Sequence, residues 1–577
     1  MNDSSFTVAD YLLTRLQQLG VTDIFQIPSD TVRNFSRALA DFAGINSIGA
    51  INEMDAAYAA DAYGRTRGLG AVSFQYGVSE FSALNAIAGA YIERSPVVVI
   101  SASEGADRRQ QTNMYGMVFN HATGVLHADQ SVYSNITVAT ATLYSPAGAE
   151  EKIDDLLNAA LTHSRPVYIA CSEEVWLQQC QAPSPVPLQT LELHSDELAL
   201  ENAVEFAWSQ ITAASNPLIL VGVELLRFGL TDLLQKIIDA SGVLYTTTIL
   251  GKTVLDENGE KFIGTYSDRA SVRSVMETVA ASDCIISLGT ILTDDYLWLM
   301  ENKYAQMIHA STDQMRVGYG KYENVTLRDF MSGLLVYFSK SKKYPLPMVA
   351  PALPVHPEPW LSNMDPQWVD KPDVLTYNRF FQHLMKYFTD KNMLDSIVMV
   401  LGISNSLYVA ANATGMKQGS FIGSAAWQRL GFETGATSGA QLGSGKRAWT
   451  IAGDGGFMMV CQSLATLARN KLNSVIFVMS NSVYAIEHVQ AAAHFREGQQ
   501  QNPDAYDILP KWDYMALAQT FGAIGFRAST TAALDEILLG LEKIRDQPVL
   551  VEVMIPVKCM PRQVARMSND YLPFWNL

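Results

Sequence analysis

One stretch, GDGGFMMVCQSLATLARNKLNSVIFVMSN (453–481), holds the residues best placed to do chemistry. An aspartate, Asp454, stands inside a glycine cluster, and an asparagine, Asn481, follows the next apolar run. A hard carboxylate and an amide oxygen suit magnesium, an ion that shares its oxygen ligands with phosphates. Gly453, Gly455 and Gly456 let backbone approach a phosphate, and a following helix start would turn free N–H groups toward it. Two plainer readings compete. A dinucleotide fingerprint lacks its third glycine, since Met458 stands in that place. An ordinary tight strand-to-helix turn also uses such a cluster.

The elements around these residues decide where they point. AWTIAG reads as a strand, FMMVCQSLATLARN as a helix and SVIFVMSN as the next strand. Asp454 and Asn481 then fall just past the carboxyl ends of two strands joined by one crossover, where open parallel sheets bind ligands. Strand-length apolar runs alternate with helical patterns through most of the chain, which predicts an α/β fold with parallel sheets. In a first block VTDIFQIP, INSIGAI, GAVSFQ, PVVVISA and PVYIAC read as strands, with DSSFTVADYLLTRLQQLG and NEMDAAYAADAYGRTRG as helices. The proline-bearing QAPSPVPLQTLEL is a linker. A second block has strands at PLILVG, VLYTTT, CIISLG and QMIHAS, and ends in the linker SKSKKYPLPMVAPALPVHPEP. A third has SIVMVLG, AWTIAG, SVIFVMSN and PVLVEVMI. The expected domains are 1–182, 195–342 and 365–560, with a tail at 561–577. The outer two are alike in size and pattern, which suits a site built between them.

Bulk composition agrees with this division. A chain of 577 residues exceeds what one hydrophobic core organises. With 48% apolar and 17% charged residues it has the make-up of a soluble globular protein. A formal charge of −17 argues against broad contact with nucleic acid or anionic membrane, yet leaves a small anionic substrate open. MNDSSFTVADYLL has no basic region followed by an apolar stretch, so no signal peptide is expected. No run reaches the roughly 18 to 20 apolar residues of a membrane span. Cys171, Cys180, Cys284, Cys461 and Cys559 are scattered without CxxC spacing, as reduced thiols of a cytoplasmic protein would be.

Taken as a unit, GDG, 25 residues and then Asn481 resemble the thiamine diphosphate motif of the pyruvate decarboxylase and acetohydroxyacid synthase superfamily. NEMDAAYAADAYGR (52–65) resembles the decarboxylase signature NExxAAYAADGYAR. GVSEFSALNAIAGAYIE (77–93) resembles GVGELSALNGIAGSYAE, and AWQRLGFETGA (426–436) resembles WGSIGFTTGA. The likeness continues into WDYMALAQTFGA and covers nearly the full chain, closest to the pyruvate (2-oxo acid) decarboxylase branch.

The resemblance implies thiamine diphosphate and Mg2+ as cofactors, with the first block binding the pyrimidine and the third the diphosphate. Asp454, Asn481 and the Val483 carbonyl would hold magnesium; Tyr484, Ala485 and Ile486 follow along the same wall. Gly456 stands where many relatives carry serine, a departure that removes one phosphate hydrogen bond. Glu53 would stabilise the activated tautomer of the pyrimidine from a dry setting that raises its pKa; alone, it reads as a solvated first-turn glutamate. Leu430 takes the place of the aliphatic wedge that bends the cofactor, though in isolation it reads as core leucine, and the Gln428 carbonyl would accept from the 4′-amino group. LGISNS (401–406) replaces ETGTS, so that part of the pocket departs from the pattern.

Proton handling is implied for Asp30, His121 and Glu487. Read singly, Asp30 is also a loop aspartate and His121 a satisfied loop histidine, whereas Glu487 lies six residues beyond a metal ligand. NHATG (120–124) falls on HHTLG, so Asn120 replaces the first of two histidines. An amide bonds a carboxylate or carbonyl but cannot donate a proton as imidazolium does. Slower protonation would let attack on a second carbonyl compete with aldehyde release. Ile486 favours a short aliphatic donor such as pyruvate or 2-oxobutyrate; Gln490, beside His488, is as readily an acceptor contact as a surface residue. The expected enzyme is a decarboxylase with carboligase activity, giving aldehyde, 2-hydroxyketone or both. Two alternatives remain. An acetolactate-synthase-like ligase generally lacks the Asp30 and Glu487 equivalents, and a non-catalytic cofactor binder would not need Glu53. A homodimer or homotetramer with sites at subunit interfaces is implied, without nucleic acid or membrane partners. The aromatic tail SNDYLPFWNL could close over the site or meet a subunit.

Overall fold

The structure is a computed structural model that describes residues 6–125, 127–188, 191–341, 366–487 and 503–567. It contains three α/β units in chain order, each built on one sheet. The first has β1 (Asp23–Gln26), β2 (Asn46–Gly49), β3 (Gly70–Ser73), β4 (Val97–Ser103), β5 (Ala139–Leu143) and β6 (Val167–Ser172), in the order β2-β1-β3-β4-β6-β5. All its pairs are parallel. Its central strands are buried end to end, as parallel strands covered by helices on both faces must be.

The middle unit has β7 (Pro217–Val221), β8 (Tyr245–Thr247), β9 (Phe262–Thr265), β10 (Cys284–Leu288), β11 (Met307–Ala310), β12 (Met315–Val317) and β13 (Gly320–Tyr322). Five strands run parallel, and β12 and β13 add an antiparallel edge. The third unit has β14 (Ile397–Leu401), β15 (Phe421–Gly423), β16 (Arg447–Gly453), β17 (Val475–Ser480), β18 (Ile524–Ala528) and β19 (Val549–Met554), ordered β15-β14-β16-β17-β19-β18 and wholly parallel. No helix among the described residues is long and apolar enough to cross a membrane.

The long apolar runs become strands where expected. The short strands β5, β9, β12, β13, β15 and β18 carry too few apolar residues in a row to stand out. One expectation is corrected. The single helix expected across 457–470 is two, Asp454–Met459 and Ser463–Arg469, broken where Val460 takes φ −142° and ψ 36°. The break seats Met459 and Val460 against Gly431, where an added methyl would lie 2.9 Å from Met459 Cβ.

The outer two units share one hydrophobic cluster, in which Tyr58, Ala59 and Tyr63 meet Phe432, Ala436 and Ala440. Helix Glu53–Arg67 lies along helix Phe432–Ser444, and glycines set the spacing. A methyl on Gly435 would lie 2.8 Å from the Tyr58 ring, and one on Gly439 would overlap the Ala59 carbonyl. The alanine-rich face of the first helix and the glycine-rich face of the second thus bring the outer sheets together, with few side chains between the two backbones.

Candidate active site

β16 and β17 are parallel neighbours, with Gly453 opposite Met479 in register, so Asp454 and Asn481 emerge side by side. The backbone N–H groups of Asn481 (3.0 Å) and Ser482 (2.6 Å) donate to Asp454 Oδ2, and that of Gly455 donates to Oδ1 at 3.0 Å. Asn481 donates from Nδ2 to Tyr377 Oη at 3.0 Å, and its Oδ1 accepts from Val483 N at 3.2 Å. The loop after Asn481 is pinned by the chain at 507–509: Tyr484 N donates to the Asp507 carbonyl and Leu509 N to the Ser482 carbonyl. Val483 and Ala485 are buried; Ile486 packs against the core of the third unit.

Asp454 is 4% exposed, and burial pushes its carboxyl up to about 6, opposed only by backbone N–H donors. A buried carboxylate with no neighbouring cationic side chain fits a metal cation. No group of three or more His, Cys, Asp or Glu side chains gathers among the described residues. A cation here would therefore rest on one carboxylate, the Asn481 amide and backbone oxygen, leaving coordination positions for a ligand's oxygens. The glycines are cut to the same purpose. A methyl on Gly455 would overlap the Tyr484 ring, and one on Gly456 would overlap Glu433 Oε1.

In the first unit, Glu53 opens its helix behind the N-cap Asn52, whose side chain accepts from Asp55 N. Ser79 Oγ donates to Glu53 Oε1 at 2.5 Å. Glu53 is half-buried, so this chain alone does not supply the dry setting expected for it. No hydrogen bond among the described residues joins it to Asp454 or Asn481. Two residues along, Asp55 accepts from Thr466 Oγ1 at 2.5 Å, tying the start of this helix to the third unit.

Gly77, two residues before Ser79, packs against the His121 carbonyl, and Tyr76 Oη donates to the Asn120 carbonyl at 2.9 Å. The His121 ring stands edge-on to Tyr76 with 6.3 Å between centroids, its backbone at φ 74°. Burial raises the pKa of the Tyr76 hydroxyl, the Arg108 charge opposes it, and the charges of Glu104 and Asp30 add to the rise. Asp30, Asn120 and His121 are exposed and gather around Tyr76. Glu487 is exposed at the end of the Asn481 loop. His488 and Gln490, and the tail beyond 567, lie outside the described residues.

The loop carrying Gln428 and Leu430 is held from two sides. Glu93 Oε1 accepts from Ala426 N (2.9 Å) and Trp427 N (3.0 Å), while its Oε2 pairs with Arg65 at 2.6 Å. Arg429 pairs with Asp61 and donates to the Ala86 carbonyl at 2.7 Å. Gln428, at φ 55°, donates from Nε2 to Asp295 Oδ2 of the middle unit at 2.8 Å. Leu430 is half-buried and belongs to none of the apolar clusters among the described residues. In the departing segment LGISNS, Ser404 Oγ accepts from Ser406 N at 3.1 Å and caps helix Asn405–Ala411.

Sequence reasoning did not reach Ser79, Tyr377, Arg429 or Glu433. The first three act through partners far away in the chain. Glu433 alone carried a local signal, an acid inside the apolar, glycine-rich run GFETGA.

Comparison with known proteins agrees with this geometry. The chain matches the N-terminal thiamine pyrophosphate (TPP) binding domain of thiamine pyrophosphate enzymes over residues 6–124, their central domain over 204–330 and their C-terminal TPP binding domain over 402–553. It is 27% identical over 542 residues to a pyruvate decarboxylase of Aspergillus fumigatus, covering 91% of this chain and 89% of that one. It is 28% identical over 581 residues to an alpha-keto-acid decarboxylase of Mycobacterium tuberculosis, covering 99% and 98%.

Proposed function

We propose, from the premise that the chain belongs to the thiamine pyrophosphate enzymes and to their pyruvate-decarboxylase-like branch, a magnesium-dependent 2-oxo acid decarboxylase that also joins carbonyl compounds. Its donor is a short aliphatic 2-oxo acid such as pyruvate or 2-oxobutyrate, and its products are aldehyde and 2-hydroxyketone. Bound thiamine diphosphate supplies the carbon nucleophile and the electron sink for loss of carbon dioxide.

The chain's own residues supply the rest. Asp454, Asn481 and the Val483 carbonyl hold the magnesium, and Gly453, Gly455 and Gly456 admit the diphosphate against backbone. Glu53, fixed by Ser79, holds a proton at the pyrimidine nitrogen N1′. Leu430 and the Gln428 carbonyl would hold the bound cofactor in place between the two outer units. Asp30, His121 and Glu487 bring protons to the reacting carbon and the product oxygen. Because no hydrogen bond among the described residues of one chain joins Glu53 to Asp454 or Asn481, the complete site is taken to form in a homodimer or homotetramer. A cytoplasmic setting is proposed on the five free, scattered cysteines.

Asn120 carries the carboligase part of the reading. It stands beside His121 around Tyr76 and cannot donate as imidazolium, so proton delivery rests on fewer groups. The test is a carbon balance. Purified protein with thiamine diphosphate and magnesium receives pyruvate or 2-oxobutyrate with benzaldehyde, and carbon dioxide, aldehyde and hydroxyketone are counted together. Hydroxyketone should take a substantial share of the carbon dioxide released. Aldehyde equal to carbon dioxide would reduce the protein to a plain decarboxylase, and no carbon dioxide would remove the substrate class.

A further inference from the structure

Glu433 lies in the first turn of helix Phe432–Ser444 and is 2% exposed. Its carboxyl is wedged between the loops that leave β14 and β16, neighbouring strands of the third sheet. Methyl groups built on Gly402 and on Gly456 would each overlap it, at Oε2 and Oε1 respectively. Gly402 follows β14 directly, and Gly456 is the last glycine of the GDGG turn after β16. Oε2 is buried and finds no hydrogen-bond partner among the described residues. The only groups that favour its ionised form are the backbone N–H of Gly431 and its own, and burial pushes the acid up to about 8. Tyr58, Arg429 and Asp454 are the ionisable side chains on the adjoining segments, and none of them offsets that burial.

Gly456, which carries no side chain, and the long acid Glu433 therefore meet at one point. In this chain the longer acid fills the volume that a side chain at 456 would occupy. We propose that Glu433 closes the diphosphate cradle by donating its carboxyl O–H to a phosphate oxygen, from the space that a side chain at position 456 would fill. An ionised carboxylate there would repel the anion, whereas the neutral acid supplies both a donor and an acceptor. The exchange is reciprocal, because serine at 456 and glutamate at 433 compete for one space. This inference rests on the thiamine diphosphate reading of the site.

The test reads binding rather than turnover. Magnesium thiamine diphosphate and magnesium pyrophosphate are titrated separately into the full-length protein by calorimetry, with folding checked by circular dichroism. Glu433→Gln keeps a neutral donor of the same length and should bind both ligands within about 3-fold of wild type. Glu433→Ala and Gly456→Ser should each weaken both by about 10-fold or more, the scale of a lost charge-assisted hydrogen bond. Glu433→Thr combined with Gly456→Ser should recover binding, a non-additivity expected only of side chains in contact. Unchanged affinity in Glu433→Ala, or a double variant no better than Gly456→Ser, would overturn the proposal. Should Glu433→Ala fail to fold, the comparison of Gly456→Ser with the double variant decides alone. Wild-type protein that binds neither ligand would overturn the cofactor reading itself, and this inference with it.

Discussion

Tyr377 holds Asn481: the phenol oxygen accepts from the side-chain amide at 3.0 Å, and both residues are buried. Tyr377 begins the first long helix of the third unit, more than a hundred positions upstream, yet it fixes which way the amide oxygen faces. Tyr377→Phe removes that acceptor without changing the ring. Magnesium affinity should fall by roughly 10-fold, as is usual when a group behind a metal ligand is lost. A magnesium titration of the apoprotein, followed by tryptophan fluorescence with thiamine diphosphate present, measures it; an unchanged midpoint would leave Tyr377 a packing residue.

Ser79 bears on Glu53. Its hydroxyl donates to Glu53 at 2.5 Å from a neighbouring helix. A hydrogen bond to a charged group contributes about 1.5–3 kcal/mol. Ser79→Ala should lower kcat by roughly 10-fold or more, since Glu53 would lose its orientation. Cofactor affinity, for which the proposed metal and diphosphate contacts lie in the third unit, should move less. Equal losses in kcat and in cofactor binding would contradict that division.

Glu433 should make stability fall as pH rises. Its folded pKa, about 8, stands above the ordinary 4.5 of an unfolded glutamate. Below the lower value both states hold the proton and the full contribution is present. Between the two only the folded state holds it, so each pH unit upward costs up to about 1.4 kcal/mol, and above the higher value the loss is complete. Urea midpoints of cofactor-free wild type and Glu433→Gln, taken from about pH 5 to 9, should diverge on the alkaline side. Parallel curves would place the group outside its dry pocket.

Gly439 tests the junction of the outer units. An alanine there would collide with the Ala59 carbonyl across the helix pair. Overpacking of this kind costs typically about 1–3 kcal/mol. Gly439→Ala should therefore lower the thermal midpoint and weaken activity together, because both walls of the site depend on that spacing. Gly445→Ala, where a methyl meets nothing but φ is +67°, would separate backbone strain from collision.

The strands that position Asp454 and Asn481 were legible because they are continuous runs of Val, Ile and Met, which parallel sheets require. The short edge strands were not, because Phe421–Gly423 or Met315–Val317 is too brief to show a period. The break at Val460 was hidden because the helical pattern continues through it, and only Gly431, from a different loop, explains the turn. Asp454 and Asn481 stand out by spacing and type and Glu53 by the motif around it, and the roles given to them are the proposal made above. Ser79 and Tyr377 do not stand out, since their importance lies in what they touch. Glu433 is an acid inside an apolar, glycine-rich run, and only its contact with Gly456 gives that misfit a meaning.

The loop bearing Gln428 and Leu430 is anchored by Glu93 in the first unit and by Asp295 in the middle one, although it belongs to the third. The catalytic centre is in this sense not portable. A third unit grafted onto another scaffold would carry the proposed metal ligands along, but the loop proposed to shape the cofactor would arrive without either of its moorings. Recombination among relatives should accordingly succeed only where position 93, position 295 and the 426–430 loop are inherited as one set.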